Sequence, residues 1–121
     1  MKKRDEKQTT GLEENLKKAL TELLVLFLFS EGEHYIGELP ELLRIRSQGS
    51  VDVMFPYSVI YRTTEAGYLE DAKKRVAPDG RRRQYYKLTE KGLVYLKELL
   101  EIYRSFCEGI DKILFGDESH G

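Results

Sequence analysis

The chain has 121 residues, of which 40% are hydrophobic and 34% are charged, and its formal net charge at pH 7 is −1. This length and composition suit one soluble globular domain with a modest core, which dimerisation could complete. The single cysteine, Cys107, excludes an intrachain disulfide framework and favours the cytoplasm. The apolar run Leu23–Phe29 is too short to span a membrane, which takes roughly 20 residues.

The first part of the chain predicts an N-terminal arm, two helices and a short strand. Residues 1–11 are almost wholly polar, and we expect them to form a flexible arm. Helical spacing of apolar residues begins at Leu12 and continues to a turn at Ser30–Gly32. A second helix is predicted over Ile36–Arg46, and its inner side should hold Ile36, Leu39, Leu42, Leu43 and Ile45. The alternation in VDVMF, residues 51–55, then predicts a short strand.

The segment 56–66, PYSVIYRTTEA, predicts a third helix with a polar outer side. If Pro56, Ile60 and Thr63 face inward, helical spacing directs Tyr57, Ser58, Tyr61, Arg62 and Glu65 outward. Tyrosine and serine hydroxyls bond phosphates or base edges, and arginine bonds guanine through two hydrogen bonds. Tyr57, Ser58, Tyr61 and Arg62 are therefore candidate DNA-binding residues. The alternative is a core helix whose tyrosines pack with their polar tips at the surface.

The next segment predicts a basic β-hairpin. Strand formers fill Tyr68–Arg75 and Arg83–Leu88, and the Pro-Asp-Gly turn sequence joins them. Between Lys73 and Lys87 there are seven basic residues and one acid, Asp79, while the compensating acids lie elsewhere in the sequence, Glu33 among them. A local basic field attracts a polyanion even on a near-neutral chain. The candidate DNA-binding residues of the hairpin are Lys73, Lys74, Arg75, Arg81, Arg82, Arg83 and Tyr85.

Strand alternation limits what the hairpin tyrosines can do. Only one of Tyr85 and Tyr86 can point away from the core. The alternative interpretation of the whole basic run is a solvated face without a partner. A short helix followed by a basic two-stranded ribbon is nevertheless the order in which a winged helix-turn-helix meets DNA, with the helix in the major groove and the ribbon along the phosphates.

The C-terminal segment 89–115 predicts a long helix that starts at the N-cap residue Thr89. Its apolar residues repeat at spacings of three and four over three heptads, which indicates a packing seam. The simplest partner for this seam is a second copy of the chain. The predicted dimerisation residues are Leu93, Leu96, Leu100, Tyr103, Cys107, Ile110 and Leu114. Residues 116–121 are expected to be a flexible tail.

Catalytic and metal-binding patterns are not found in the sequence. The two histidines, His34 and His120, offer no triad, and no cysteine or histidine pair has metal spacing. Cys107 lies on the helical seam, where a buried inert thiol is the favoured interpretation. We therefore predict a protein that is not an enzyme and has no cofactor and no metal.

Two motifs resemble those of the PadR-like family of bacterial transcriptional regulators, in its short form. YSVIYRTTEAGYLE, with Tyr57 and Arg62, is similar to the family's Tyr-Pro-x-x-x-Arg-Leu-x-x-x-Gly-Leu pattern. RRRQYYKLTEKG is similar to its Arg-x-Tyr-Tyr-x-Leu-Thr-x-x-Gly pattern. The resemblance covers about Leu16 to Ile113. Ser58 and Thr63 depart from the first pattern, where the family has proline and leucine.

The resemblance implies a mainly helical fold: a winged helix-turn-helix over residues 12–88, with a two- or three-stranded wing and a long C-terminal dimerisation helix. It also implies a homodimer that binds a pseudo-palindromic site on double-stranded DNA and acts mostly as a repressor. In some relatives a small apolar or aromatic effector lies between the subunits. Tyr95, Leu99, Tyr103 and Phe106 could line such a pocket, with ordinary dimer packing as the alternative. The rival function is a winged-helix protein-interaction or assembly module without specific DNA binding.

Overall fold

The structure is a computed structural model that describes residues 11–52 and 57–116. In chain order, the described residues form α1, β1, a 3-10 turn, α2, α3, β2, β3 and α4. The helices are α1 (Gly11–Ser30), α2 (Leu39–Arg46), α3 (Tyr57–Glu65) and α4 (Glu90–Phe115). The strands are β1 (His34–Tyr35), β2 (Leu69–Val76) and β3 (Arg82–Leu88). Residues 1–10 of the predicted arm 1–11, residues 53–56 and residues 117–121 of the predicted tail 116–121 lie outside the described residues, whereas Gly11 is the first residue of α1.

The core forms around the second half of α1, because the helix begins amphipathic and becomes apolar on nearly all sides. Apart from Phe27 and Ser30, which are exposed, this half is buried or partly buried. Each of the other helices and β2 contributes side chains to the same cluster, which contains Leu23, Val25, Leu26, Leu28, Phe29, Leu39, Leu43, Val59, Ile60, Leu69 and Leu96. The predicted fold class, mainly helical with a winged helix-turn-helix, is confirmed.

Two details of the second predicted helix differ from expectation. The segment Ile36–Glu38 is a 3-10 turn, and the α-helix begins only at Leu39, with Pro40 in its first turn. A proline is accommodated there because the first N–H groups of a helix have no partner within it. The prediction that Ile45 faces inward is wrong, since this side chain is 56% exposed.

The sheet is three-stranded and antiparallel, in the order β1-β3-β2. Besides the two strands of the hairpin, the sheet contains β1, whose His34 pairs with Tyr86 of β3 and whose Tyr35 pairs with Tyr85. The sequence instead predicts a strand at VDVMF, residues 51–55. Val51 and Asp52 have no regular structure, and the rest of that prediction lies outside the described residues. We call the β2–β3 hairpin, Leu69–Leu88, the wing.

Helix α4 joins the wing to the core through its first turn. The Thr89 hydroxyl accepts a hydrogen bond from the Gly92 N–H at 2.9 Å, which confirms the predicted N-cap. Gly92 is buried so closely against the Tyr68 carbonyl that a Cβ atom would lie 2.2 Å from its oxygen. Leu96 is 2% exposed in the core, whereas α4 is exposed along most of its second half. Among the described residues, no helix is long and apolar enough to cross a membrane.

Candidate nucleic-acid interface

Helix α3 presents one apolar and one polar side. Val59, Ile60 and Thr63 are buried, and the Thr63 hydroxyl donates to the Val59 carbonyl at 2.7 Å. That bond satisfies a polar group which would be costly to bury alone. The four candidate residues of this helix all lie on its exposed side: Tyr57, Ser58, Tyr61 and Arg62. Their orientation is as predicted, and their contact with DNA stays a prediction.

The tip of the wing is a structured turn. Backbone N–H groups of Ala77 and Gly80 donate to the carbonyls of Arg81 and Ala77, each at 2.8 Å. Gly80 has a φ of 86°, a left-handed conformation that favours glycine. The Asp79 carboxylate accepts from the Arg81 N–H at 3.0 Å. These bonds fix the backbone on which the basic residues of the tip are carried.

The two faces of the wing pack against different side chains. Cross-strand partners share a face, so the pairs Leu69–Leu88 and Asp71–Tyr86 place Tyr86 on the face towards the core. Tyr86 and Leu88 do pack against the core cluster. The pair Arg75–Arg83 lies on the opposite face together with Tyr85. The expectation that one tyrosine faces the core is therefore met by Tyr86.

Tyr85 is not available on the surface, although it points away from the core. It is 5% exposed, because the Arg75 guanidinium lies 3.6 Å from the centre of its ring and the Tyr35 ring meets it edge-on at 5.5 Å. Arg83 in turn lies 5.2 Å from the centre of the Tyr35 ring. We call these four side chains the aromatic–arginine cluster. The expectation that the outward tyrosine is available at the surface is therefore wrong for Tyr85, because its ring is covered.

Acidic side chains fix both arginines of the cluster. Arg75 Nη1 donates to the Glu33 carboxylate at 2.9 Å, and Arg83 Nη2 donates to the Asp79 carboxylate at 2.5 Å. The hydrogen bond from Arg83 is the largest cause that lowers the pKa of Asp79. The bond to Glu33 is likewise the largest cause that raises the pKa of Arg75. Glu33, which is distant from the hairpin in the sequence, thus lies against it in the fold.

Four other basic residues of the wing have no such partner. Lys73, Lys74, Arg81 and Arg82 are exposed, and no ion pair links them to any of the residues that the structure describes. We call them the free wing cations. Lys87 differs from them, since it lies 3.7 Å from Glu70 on the neighbouring strand. The free wing cations can therefore offer four positive charges to an anionic surface.

A β-bulge changes the direction of β2 before it reaches the tip. The pairing with β3 shifts between Asp71 and Lys74, which leaves Ala72 and Lys73 without regular partners. The Gln84 side-chain amide donates to the carbonyls of Ala72 at 2.6 Å and Tyr85 at 2.8 Å. These bonds satisfy carbonyl groups at the bulge. No glycine or proline in the sequence marks this bulge.

The predicted dimerisation seam of α4 divides into two parts. Leu96 lies in the core of its own chain, so its assignment to a dimer interface is wrong. Leu100 packs against that core but is only partly buried, and its assignment stays a prediction. The second half of the helix exposes large apolar side chains, with Phe106 at 69% and Ile113 at 82% exposed. Its exposed apolar residues are Ile102, Tyr103, Phe106, Ile110, Ile113, Leu114 and Phe115. We call this set the α4 apolar face.

The four predicted effector-pocket residues lie in two different places. Tyr95 stacks on Tyr68 at 4.1 Å and its hydroxyl donates to Glu22 at 3.2 Å, and Leu99 packs against the core. Tyr103 and Phe106 belong to the α4 apolar face instead. These four side chains therefore do not line one pocket within a single chain. Burial and Glu22 raise the pKa of Tyr95, which remains a neutral hydrogen-bond donor at neutral pH.

The residues considered for catalysis have structural partners. His34 Nε2 donates to the Leu28 carbonyl at 3.0 Å, and its Nδ1 lies 2.9 Å from the Glu38 carboxylate. Cys107 is half-buried, and its hydrogen bond with Tyr103 is the largest cause that raises the pKa of that tyrosine. Among the described residues, no three His, Cys, Asp or Glu side chains form a group that could hold a metal ion.

Comparisons with known proteins identify the fold. No protein-family model and no curated protein matches the sequence. A transcriptional regulator from Clostridium thermocellum superposes with a TM-score of 0.71 at 24% identity, over 83% of this chain and 98% of that one. A PadR-like transcriptional regulator from Bacillus cereus gives 0.71 at 24% identity over 84% and 98%. A PadR family transcriptional regulator from Eggerthella lenta gives 0.70 at 23% identity over 86% and 89%. These likenesses establish that the chain has the winged helix fold of PadR-like transcriptional regulators.

Proposed function

We propose that the chain is a PadR-like transcriptional regulator that binds double-stranded DNA as a homodimer and represses transcription. One observation carries the proposal: α3 exposes hydroxyl and guanidinium groups next to a wing with four free cations. Helix α3 contacts β2, so it lies next to the wing. A helix and a ribbon that are neighbours can contact adjacent parts of one duplex.

The two elements have different tasks in this mechanism. Helix α3 enters the major groove, where Arg62 bonds a guanine and the hydroxyls of Tyr57, Ser58 and Tyr61 bond base edges or phosphates. The free wing cations bond the flanking phosphates, and the release of counterions supplies much of the affinity. Phosphate contacts set the register, and base contacts on α3 set the sequence preference.

The α4 apolar face supports the homodimer. Isolated exposed apolar residues are ordinary, but a contiguous face of this kind marks an interaction surface. The first helix adds Leu12 and Leu16, which are also exposed. A second copy of the chain would cover both surfaces and relate the two α3 helices by a two-fold axis. Half-sites about 34 Å apart, one turn of DNA, would then face the same side of the duplex.

An effector site in this dimer would have to form between subunits. Tyr103 and Phe106 are the two predicted pocket residues that remain exposed and could line it. A small apolar or aromatic ligand there would favour one separation of the two α4 helices, and therefore of the two α3 helices. The change in separation would alter operator affinity.

Selection of random duplexes on the purified full chain tests the DNA-binding proposal. We expect enrichment of inverted repeats whose half-site centres lie about one helical turn apart, with affinity that falls steeply with salt. The Arg81→Ala/Arg82→Ala variant should lose affinity for every duplex but keep its oligomeric state in light scattering. Absence of enrichment, together with no duplex binding at low salt, would favour the rival interaction module.

A separate measurement tests the homodimer. Phe106→Glu places a charge on the α4 apolar face and should shift the chain to monomer in light scattering, because burying an unpaired carboxylate is costly. Lys97→Glu is the matched control, since it adds a carboxylate at an exposed position in the first half of the same helix. A wild-type chain that is monomeric at micromolar concentration would contradict the proposal.

A further inference from the structure

We propose that Arg75 and Arg83 are positioning residues, which hold the wing in its DNA-binding shape but do not themselves bond phosphates. The inference rests on the proposed function, and it divides the six arginines and lysines at the wing tip into two classes. The free wing cations contact DNA. The two arginines of the aromatic–arginine cluster act through the backbone that carries those cations.

The packing of the two guanidinium groups is the first argument. Arg75 and Arg83 are direct cross-strand partners, an arrangement in which like charges repel. The repulsion is offset because each group is stacked on an aromatic ring and hydrogen-bonded to a carboxylate. The Nε atom of Arg83 is buried and donates no hydrogen bond to a described residue, so the stack and the Nη2 bond to Asp79 hold this guanidinium group. Moving either guanidinium to a phosphate would break its stack and its ion pair together.

The connections made by the cluster are the second argument. Glu33 and Tyr35 belong to the segment around β1, whereas Arg75 lies near the end of β2 and Arg83 near the start of β3. The contacts therefore link the outer part of the wing to the body of the domain. Asp79 extends the link to the turn, since it bonds both Arg83 and the Arg81 N–H. Arg81 and Arg82 are thereby carried on a fixed frame.

The number of charges that meet DNA follows from this division. Each neutralised phosphate contributes about −0.9 to the slope of log K against log salt. Four free cations give a wing contribution of about −3.6 per protomer, compared with about −5.4 if all six bonded phosphates. Loss of a positioning residue lowers the fraction of protein whose wing is competent, and so weakens binding without changing the slope.

The test measures affinity for a selected duplex over a range of salt concentrations. Arg82→Ala should reduce the slope by about 0.9. Arg75→Ala and Arg83→Ala should instead weaken binding by about three- to thirtyfold at an unchanged slope, the range expected for loss of a stacked cation. Arg75→Lys should not restore affinity, because an ammonium group keeps the charge but cannot stack as a plane. A slope reduced by about 0.9 in Arg75→Ala, with recovery in Arg75→Lys, would overturn the proposal.

A disulfide in place of the two arginines distinguishes a positioning role from a role of their charge. In a Cys107→Ser background, Arg75→Cys combined with Arg83→Cys places two thiols at directly paired positions, where a cross-strand disulfide can form. Both arginine charges are then absent whether the thiols are oxidised or reduced. We expect the oxidised form to bind within about threefold of wild type and the reduced form to bind more weakly. Equal weak binding of the two forms would overturn the proposal.

Hydrogen exchange distinguishes failure of this proposal from failure of the proposed function. In the absence of DNA, amides of residues 74–77 and 79–83 should lose protection in Arg75→Ala but not in Arg82→Ala, while core amides of α1 are unchanged. If the wild-type chain bound no duplex, the DNA-binding proposal would fail and this measurement alone would decide the role of the cluster. Unchanged protection in Arg75→Ala would then overturn it.

Discussion

Substitution of Gly92 tests how the wing is joined to α4. A Cβ atom at this position would lie 2.2 Å from the Tyr68 carbonyl oxygen and 2.8 Å from Leu88 Cδ1. The carbonyl cannot easily move away, because it accepts hydrogen bonds from the Thr89 N–H at 3.0 Å and the Thr89 hydroxyl at 3.2 Å. Gly92→Ala should therefore displace the first turn of α4 from β2. Overpacking of this severity costs about 3 kcal/mol.

The higher helix propensity of alanine offsets part of that cost, by up to about 1 kcal/mol. The net loss is about 2 kcal/mol in the free energy of unfolding, or a fall in Tm of roughly 6–12 °C. Urea unfolding followed by circular dichroism measures it. Gly109→Ala is the matched control in the same helix, where a Cβ atom meets nothing within 4 Å in the chain and should stabilise by about 0.5–1 kcal/mol. A Gly92→Ala variant as stable as wild type, or equal losses in both variants, would refute the reasoning.

Three further substitutions or titrations give distinct results. Thr89→Ala removes the cap of α4 and should cost about 1 kcal/mol in urea unfolding, whereas Thr89→Ser should retain most of the stability. The pKa of Asp79 is lowered in the folded chain, so the stabilisation it gives is present at neutral pH and is lost as the pH falls through the folded pKa. The Arg81 amide NMR shift should report a midpoint below the usual aspartate value of about 3.9, and a midpoint above it would contradict the ion pair. Arg62→Ala should remove about 1–3 kcal/mol of discrimination at one base pair of the selected site, and a uniform loss across all duplexes would exclude base readout.

The main elements could be predicted from the sequence because their signals are local. Apolar spacing predicted α1 to within one residue, and the Pro-Asp-Gly turn predicted a hairpin whose strands begin and end within one residue of the expected positions. Strand β1 could not be predicted in this way. It has two residues, and it exists because β3 offers a free edge to His34 and Tyr35. Such a strand depends on tertiary pairing, which local propensity does not contain.

For the wing strands, the sequence predicts that successive side chains alternate between the two faces, but not which of them are exposed. The sequence required Tyr85 and Tyr86 to point in opposite directions, and they do. It could not reveal that the outward tyrosine is buried, because its cover comes from Tyr35, some 50 positions earlier in the chain, and from Arg75 on the opposite strand. Outward direction and exposure are separate properties wherever long side chains cross a sheet surface.

The apolar seam of α4 shows that helical spacing does not predict which side chains are exposed. Leu96 and Leu114 lie on one predicted stripe, yet Leu96 is 2% exposed and Leu114 is 65% exposed. Helical spacing identifies which residues share a face, but the covering of that face changes along the helix as α4 leaves its own domain. The first half is needed to complete the core. Most of the apolar side chains left for another chain lie in the second half, although Leu93 and Val94 in the first half are exposed as well.

The charge that the wing presents to a partner depends on which of its basic residues are ion-paired. The chain as a whole has a net charge of −1, and a count along the hairpin alone suggests a strongly basic ribbon. Ion pairs with Glu33 and Asp79 engage two of its arginines, so the field at the tip comes mainly from the four free wing cations. A near-neutral protein can still bind a polyanion under these conditions, because its acids neutralise the cations that shape the site and not those that face outward. Local ion pairing thus explains how the net charge and the proposed DNA contact are compatible.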